Sequence, residues 1–307
     1  MQVIFGKDTQ SGIVAAEVID GYIVCLTNTD EEIHYPMVYW VLTNFPTSKS
    51  TKLEGNQHYK YISKFDDKED YQKYLGLLRK KRKDFYTVYN EVEMAMLYHG
   101  FTFYKDIKIQ DVSVLAFDIE ASGLVRDESS TTFVITNTFR NRQGKISRKQ
   151  FRLDWYDNQV EMIKAWCEYV QEIDPDILTG HNINGYDLPY LDHCSKDGLE
   201  LGRDGSAIKF KKKPSNYRVD GSQTWEYRKI KCYGRCIVDG MFLAVKHDIG
   251  RNYPSWGLKP IAEYEGWVSE DRQFYDASKI KDDWWDLEKR ELIVKYCEDD
   301  SDDSLKV

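Results

Sequence analysis

The chain has 307 residues, of which 41% are hydrophobic and 31% are charged, and its formal net charge at pH 7 is −8. This composition excludes a disordered or fibrous protein, and the length allows two ordinary domains. The negative net charge argues against a general nucleic-acid coat protein. Basic runs nevertheless occur at 79–84, 209–213 and 228–235.

The N-terminus lacks the basic start and apolar core of a secretory signal. No apolar run approaches the roughly 18 residues that a membrane span requires. We therefore expect a soluble, cytoplasmic protein without membrane association. The six cysteines are scattered, and Cys232 with Cys236 has no second pair to complete a zinc site, so we expect reduced thiols.

The first hundred residues predict a small α+β domain. Period-two alternation on either side of Asp20-Gly21 indicates a hairpin, and an apolar strand follows at 36–43. The segment 68–84 places Tyr71, Tyr74, Leu75 and Leu78 on one helical face. We place this domain at residues 1–108 and a second domain at 109–307.

The second domain alternates strands with longer helices, which predicts an α/β layer structure. Residues 112–121 form a nearly continuous apolar run, as in a strand covered on both faces. The other predicted elements are strands at 131–140, 149–156 and 176–181, a helix at 159–173, a helix that Asp187 could cap, and an extended hairpin at 216–233 around Asp220-Gly221. The remainder is helical in pattern, and we expect the last helix to be short.

Two acidic residues end the buried strand. Because residues i and i+2 of a strand point to the same face, Asp118 and Glu120 place their carboxylates side by side. The two charges repel each other unless a hard divalent cation such as Mg²⁺ lies between them. The Asp-x-Glu spacing alone is weak evidence, because it recurs at Asp30, Asp67 and Asp286 without a preceding buried strand.

Further acidic residues fall at later element ends. Asp187 opens a helix, and its function could be simply that of a helix cap. Tyr296 and Asp300 share one helical face, and they could equally belong to a solvated helix end. Four acids with a phenol could instead hold two metal ions and align a water against a phosphodiester. The metals would then neutralise a site that otherwise repels DNA, while basic segments hold the strand.

Three segments resemble, in order, the exonuclease motifs of family B DNA polymerases: FDIE (117–120), HNINGYDLPYL (181–191) and YCEDD (296–300). The intervening GRCIVDG and WGLKPIAEYEG are also similar to segments of that family. The resemblance is firm over 111–307 and weaker over 1–110, where the family carries its N-terminal domain. It implies an RNase-H-like exonuclease domain, a mixed sheet flanked by helices, behind a small α+β domain.

The resemblance also implies 3′–5′ exonuclease chemistry with two Mg²⁺, for which Mn²⁺ can substitute. Asp118 would bridge both metals, Glu120 and Asp300 would complete the tighter site, and Asp187 would serve the second metal. Tyr296 would orient the attacking water.

The resemblance further implies substrate contacts. Asn182 would contact the DNA strand or brace its loop, and Tyr186 stands where the family usually has Phe. The hairpin near 216–231 would help to part primer from template. From their position just after the acid pair, we expect Ser122 and Leu124 to touch the terminal base. Trp225 and Tyr227 could stack bases or pack across the hairpin, and we interpret His181 as a structural histidine.

The leading hypothesis is proofreading, the removal of 3′-terminal nucleotides from single-stranded DNA or a primer-template 3′ end. No segment resembles the family's polymerase motifs, so we expect a palm-containing partner chain or a missing C-terminal part. The alternative is a DNA-binding and assembly module for such a separate chain. The divergence of the N-terminal region favours a phage or viral source, which would place the protein in the host cytoplasm.

Overall fold

The computed structural model describes residues 8–55, 58–219 and 223–307. The chain divides into two compact units, residues 1–108 and 109–307. Among the described residues, no helix combines the length and the apolar character needed to cross a bilayer. Each of the six cysteines lies in the described part and carries a free thiol.

The first unit is a small α+β structure. Its elements are β1 (Ile13–Ile19), β2 (Tyr22–Thr27), β3 (Glu32–Pro36), β4 (Tyr39–Thr43), β5 (Ser50–Lys52), β6 (Tyr61–Phe65), α1 (Lys68–Lys80), β7 (Phe85–Tyr86) and α2 (Glu91–His99). They form antiparallel sheets in the orders β1-β2-β3 and β5-β6-β4-β7. Asp20 and Gly21 both have positive φ, as the tight β1–β2 hairpin requires.

The second unit is built on a five-stranded mixed sheet. Its elements are β8 (Val114–Ala121), β9 (Thr132–Arg140), β10 (Ile146–Arg152), α3 (Gln159–Ile173), β11 (Ile177–Gly180), α4 (Asp187–Ser195), β12 (Lys209–Phe210), β13 (Ser215–Arg218), β14 (Thr224–Tyr227), β15 (Ile230–Lys231), β16 (Cys236–Asp239), α5 (Gly240–His247), α6 (Leu258–Tyr264), α7 (Ile280–Asp283) and α8 (Leu287–Lys306). The sheet order is β10-β9-β8-β11-β16, antiparallel on the β9 side of β8 and parallel on the β11 side.

Helices cover this sheet. Leu115 and Phe117 of β8 pack with Trp166 of α3 and Leu188 of α4 in the main core. The helix α8 packs against β8 and β9. Its residue Ile293 belongs to a second, smaller hydrophobic core of this unit. The predicted fold class, a mixed sheet flanked by helices and preceded in the chain by a small α+β unit, is confirmed.

Two details differ from the sequence-based expectations. Asp187 is the first residue of α4 and Tyr186 is its N-cap, so Asp187 is not the cap, and its carboxylate is available for other contacts. The last helix is not short, because α8 has 20 residues and is the longest of the described helices. Asp286 starts it by accepting hydrogen bonds from the backbone N–H groups of Glu288 and Lys289.

The predicted hairpin consists of β13 and β14, which pair from Ser215 with Tyr227 to Arg218 with Thr224. Its expected Asp220-Gly221 turn lies outside the described residues.

Candidate active site

The central strand β8 carries the first two acidic residues. Asp118 and Glu120 are partly buried, whereas Phe117 and Ile119 alternate with them and lie in the main core. The ladder pairs Asp118 with Thr136 and Glu120 with Val134, and its register shifts directly after Glu120. Such irregularities commonly re-aim side chains beside functional sites. Because residues i and i+2 of a strand share a face, both carboxylates lie on the face that α8 covers, where Asp118 contacts Cys297.

The helix α8 is attached to β9 by threonine side chains. Thr136 Oγ1 donates to the carbonyl oxygen of Cys297 at 2.8 Å, and Thr138 Oγ1 donates to Asp302 Oδ1 at 2.5 Å. These bonds fix the helix over the acidic end of β8. Tyr296 and Asp300, one turn apart on α8, are consequently buried there, at 5% and 8% exposure.

The loop that leads to Asp187 is held by Asp239, at the end of β16. One Asp239 oxygen accepts from the backbone N–H of Asn182 at 3.0 Å and of Met241 at 3.1 Å, and the other accepts from Asn184 at 3.0 Å. The backbone before this loop approaches β8 closely, because a Cβ at Gly180 would lie 2.5 Å from the carbonyl oxygen of Phe117. Both features fix the start of α4 beside β8.

Ligand atoms of Asp118, Glu120 and Cys297 lie within 4.8 Å of one another. The thiol of Cys297 also donates to Asp118 Oδ2 at 3.4 Å. Over the described ranges, this is the only group of three or more His, Cys, Asp or Glu side chains that meets the spacing of a metal site. The structure thus brings two of the four predicted metal ligands together, and Asp187 and Asp300 lie outside the cluster.

Basic side chains hold Asp300. Arg272 Nη2 donates to Asp300 Oδ1 at 2.5 Å, and Lys259 Nζ lies 3.5 Å from Asp300 Oδ2. The buried Arg272 guanidinium also lies 3.0 Å from Asp303 Oδ2. The carboxylate of Asp300 is therefore balanced by cations of the protein itself.

The acidic residues nevertheless act on one another. Burial, followed by the charge of Asp300, raises the pKa of Asp118 and of Glu120 well above the ordinary range. Burial also raises the pKa of Asp187 to about 8, with Asp239 contributing, and it raises the pKa of Asp300 despite Lys259 and Arg272. Negative charge is thus poorly compensated around Asp118, which is the environment that a divalent cation stabilises.

Tyr296 has a protonated hydroxyl with a defined partner. Burial and the neighbouring carboxylates, Asp300 first, raise its pKa well above the ordinary value. Lys259 Nζ donates to Tyr296 Oη and lies 4.1 Å from the centre of the ring. Because the oxygen accepts from Lys259, the phenolic O–H remains available as a donor.

Asn182 and Tyr186 are engaged within the second unit. Asn182 adopts a left-handed conformation, its carbonyl accepts from the backbone N–H groups of Gly185 and Tyr186, and its side chain fills the space beside Gly185. The Tyr186 hydroxyl donates to the carbonyl oxygen of Gly123 at 3.0 Å. These contacts lie within the loop itself, and both functions expected for Asn182 stay predictions.

Ser122 and Leu124 occupy different environments. Ser122 Oγ accepts from the backbone N–H of Thr131 at 3.0 Å and lies 3.2 Å from the Tyr190 hydroxyl. Leu124 is 84% exposed, so its apolar side chain is available to a ligand.

The hairpin aromatics and His181 have structural contacts. Tyr217 stacks on Phe242 with a centroid separation of 4.4 Å, and Trp225 contacts Trp256 edge to face at 5.6 Å. His181 Nε2 is 2.8 Å from the carbonyl oxygen of Trp256, and burial lowers the pKa of His181 to about 4. A neutral, hydrogen-bonded histidine agrees with its interpretation as a structural residue.

Sequence reasoning missed four residues of this site. Lys259 and Asp239 lie within the two segments that resemble the family between its motifs, so a signal for them existed. Cys297 lies inside the third motif, next to Tyr296. Arg272 lies in a segment without a recognisable pattern, and only the fold brings it to Asp300.

Comparisons with known proteins agree with this geometry. The profile of DNA polymerase family B, exonuclease domain, matches residues 104–261. The DNA polymerase of Thermococcus kodakarensis is 27% identical over 200 residues, which cover 62% of this chain and 11% of that protein. The DNA polymerase of Thermococcus litoralis is 29% identical over the same length, with 62% and 11% covered.

A solved structure has a similar fold. The family B DNA polymerase from Pyrobaculum calidifontis superposes with a TM-score of 0.58 at 17% identity, covering 96% of this chain and 44% of that chain. This chain therefore spans less than half the length of the polymerases that it matches.

The mixed sheet and its acidic residues, together with the matching family profile, assign this part of the chain to the class of exonuclease domains. The chain belongs to the family B DNA polymerases through their exonuclease domain. The predicted resemblance is thereby confirmed, and membership supports a 3′–5′ exonuclease role that uses divalent metal.

Proposed function

We propose that this chain removes 3′-terminal nucleotides from single-stranded DNA by two-metal hydrolysis, as the proofreading part of a family B DNA polymerase. The observation that supports it most directly is the convergence of Asp118 and Glu120 on the face covered by Tyr296 and Asp300. Family membership supplies the reaction class, and the site supplies the groups that such a reaction needs.

The donor set fits divalent cations. Asp118 and Glu120 offer hard oxygen ligands at metal-site spacing, and their raised pKa values show that their charge is poorly compensated without a cation. We propose that Asp118 and Glu120 bind two Mg²⁺, for which Mn²⁺ can substitute. Asp187 and Asp300 would be the remaining ligands. When bound, the metals would supply an activated nucleophile and stabilisation of the departing oxygen.

Tyr296 acts as a hydrogen-bond donor in this proposal. Its raised pKa keeps the phenol protonated at neutral pH, and Lys259 occupies one lone pair of its oxygen. The O–H group can therefore orient a water beside the scissile phosphate, but it cannot accept that water's proton as a phenolate. Lys259 fixes the position of Tyr296 and partly neutralises Asp300.

The residues that contact the substrate are proposed from their exposure and their position beside the acidic site. We propose that Leu124, with its open apolar side chain, contacts the terminal base and that Ser122 acts beside it. Asn182 braces the loop before Asp187, and Tyr186 forms a wall of the site through its bond to Gly123. The hairpin of β13 and β14 would lie between primer and template.

The partner of the nuclease is a polymerising part. We propose that residues 1–108 are the family's N-terminal domain and that polymerisation resides in a palm-containing region or chain, because this chain matches under half of its relatives' length. The alternative of a binding and assembly module stays a prediction, and it differs by requiring no hydrolysis. Cytoplasmic location and viral origin also stay predictions.

The direct test is digestion of a 5′-labelled single-stranded oligonucleotide. We expect the wild type to shorten it from the 3′ end in Mg²⁺ and to stop in EDTA. Asp118→Ala should lose at least about 10³-fold in rate, since it removes a central metal ligand. Glu168→Ala, which removes an exposed acidic residue of α3, is the matched control. Equal rates for the wild type and Asp118→Ala would contradict the proposal.

A further inference from the structure

A cavity of about 440 Å³ lies beside the loop that leads to Asp187. Asn184 and Gly185 of that loop form one wall, and Tyr227 and Arg228 at the end of the hairpin form another. Arg126, from the segment after β8, also lines it. We refer to this space as the arginine cavity. Its volume lies within the range of pockets that bind small ligands or parts of larger ones.

The two arginines of this cavity have no ion-pair or hydrogen-bond partner among the described residues. Arg126 and Arg228 are exposed, and neither forms an ion pair or hydrogen bond with any residue in the described part of the chain. Other arginines of the same unit are held by carboxylates, for example Arg203 by Asp174 at 2.8 Å. Two free guanidiniums on one cavity form a favourable site for phosphate oxygens.

Aromatic side chains complete the wall. Tyr227 is half-buried and contacts Phe242 edge to face at 4.9 Å, which fixes the orientation of its ring. Phe210 is also half-buried and packs against the main core. Aromatic rings beside cationic groups are the usual combination in proteins that bind single-stranded nucleic acids.

Two carboxylates limit where a phosphate can lie. Asp192 and Glu226 also line the cavity, although neither pairs with Arg126 or Arg228 among the described residues. They repel a phosphate from their own part of the wall, so a bound phosphodiester must lie against the arginines. Their oxygens remain available as acceptors for the amino groups of a base.

We propose that the arginine cavity binds a nucleotide of the single-stranded substrate on the 5′ side of its 3′ terminus. Arg126 and Arg228 contact its phosphates, and Tyr227 and Phe210 contact its base. The terminal phosphodiester must reach Asp118, so the cavity takes a nucleotide further back along the strand. This assignment of position depends on the proposed exonuclease function, whereas the binding of DNA by the cavity can be measured separately.

The binding test uses a 5′-fluorescein-labelled decathymidylate and fluorescence anisotropy with the full chain in EDTA. The double variant R126A/R228A should bind at least about tenfold more weakly, and the magnitude of the slope of log affinity against log salt should fall by about 1.4, about 0.7 for each phosphate contact on a single strand. The variant R126K/R228K should keep most of the salt dependence. Lys145→Ala, which removes an exposed charge between β9 and β10, should bind like the wild type.

Hydrolysis then locates the bound nucleotide. In Mg²⁺, R126A/R228A should lower kcat/KM for decathymidylate about tenfold while leaving the value for the dinucleotide p(dT)2 unchanged, because the proposal places the bound nucleotide 5′ of the two that the dinucleotide contains. Unchanged decathymidylate binding, or an equal loss on both substrates, would overturn the inference. Equal thermal unfolding midpoints for the variant and the wild type show that any loss is not a folding defect.

The two proposals fail differently. If the wild type hydrolyses neither substrate while R126A/R228A still weakens anisotropy binding, the exonuclease proposal fails and the DNA contact at the cavity remains. If the wild type hydrolyses both substrates and the double variant behaves like the wild type, the cavity inference alone fails.

Discussion

At the scale of single residues, burial and mutual repulsion dominate the acidic site. Asp118 and Glu120 are drawn into the sheet by the apolar residues between which they alternate, so their carboxylates lose solvation. Arg272 and Lys259 compensate Asp300, and no comparable cation forms an ion pair with Asp118 in the described ranges. We infer that the metal-free chain is destabilised by these groups at neutral pH.

The first prediction concerns the destabilisation of the metal-free protein by its buried carboxylates. The pKa of Asp118 is higher in the folded than in the unfolded chain. Between the unfolded pKa, about 4, and the raised folded pKa, the folded chain therefore binds more protons than the unfolded chain. Its stability therefore falls as pH rises through that window. Asp118→Asn removes the effect, and we expect it to raise the unfolding midpoint in EDTA by about 2–4 °C at pH 8.

The measurement is thermal unfolding in EDTA, followed by circular dichroism, at pH 5 and pH 8. The gain of Asp118→Asn should be smaller at pH 5 than at pH 8, because the raised pKa of the Asp118 carboxyl leaves less negative charge to remove at the lower pH. Glu168→Gln on the exposed face of α3 is the control and should change neither midpoint. A gain that is the same at both pH values would show that repacking, and not charge, is responsible.

At the scale of elements, the loop between β11 and α4 is positioned by a neighbouring strand. Asp239 of β16 accepts three backbone N–H groups, two of them from this loop, and so determines where Asp187 begins its helix. An asparagine at 239 has only one acceptor oxygen, and its amide N–H groups would face backbone donors.

The second prediction follows from that geometry. We expect Asp239→Asn to destabilise the chain by about 1–3 kcal/mol, because buried donors lose their acceptor. Nuclease activity should fall about tenfold or more even where the variant is fully folded, since Asp187 shifts. Urea unfolding and oligonucleotide digestion measure the two effects. Wild-type activity in a destabilised variant would show that the loop does not set the position of Asp187.

Periodicity predicted some elements well and others poorly. The bounds of α3 follow from its apolar stripe and the Asp174-Pro175 stop, because both signals are local. The length of α8 does not, since acidic residues crowd its C-terminal half and its support comes from Thr136 and Thr138 of a distant strand. Tertiary contacts of that kind have no local signature.

The candidate site was also predictable only where its residues lie in recognisable sequence motifs. The order of the three motifs predicted the acidic residues and Tyr296 through the resemblance to a known family, and their catalytic roles stay predictions. Arg272 could not be found in this way, since its contact with Asp300 depends on how the segment before α7 crosses α8. Whether Asp187 and Asp300 complete the metal ligand set stays a prediction.

At the scale of the whole molecule, the two units have separate hydrophobic cores. One core contains Trp40, Ile62 and Met94, all from residues 1–108. The cores around Phe117 and Trp284 draw only on residues 109–307. A unit that has its own core can in principle fold alone.

The third prediction is that residues 109–307 fold and digest single-stranded DNA without the first unit. We expect a single cooperative unfolding transition and a rate within about tenfold of the full chain, because every proposed catalytic group lies in this unit. Calorimetry and oligonucleotide digestion provide the measurements, with Asp118→Ala in the same fragment as the inactive control. A fragment that folds but has no activity would place an essential group in residues 1–108.

The alternation along β8 also protects the site during folding. If β8 paired with β9 one residue out of place, Asp118 and Glu120 would exchange faces with Phe117 and Ile119. Two carboxylates would then enter the apolar interior and an aromatic ring would be left outside it. Mispaired chains of this kind are strongly disfavoured, so the forces that build the core also reject molecules with an incorrectly assembled nuclease centre.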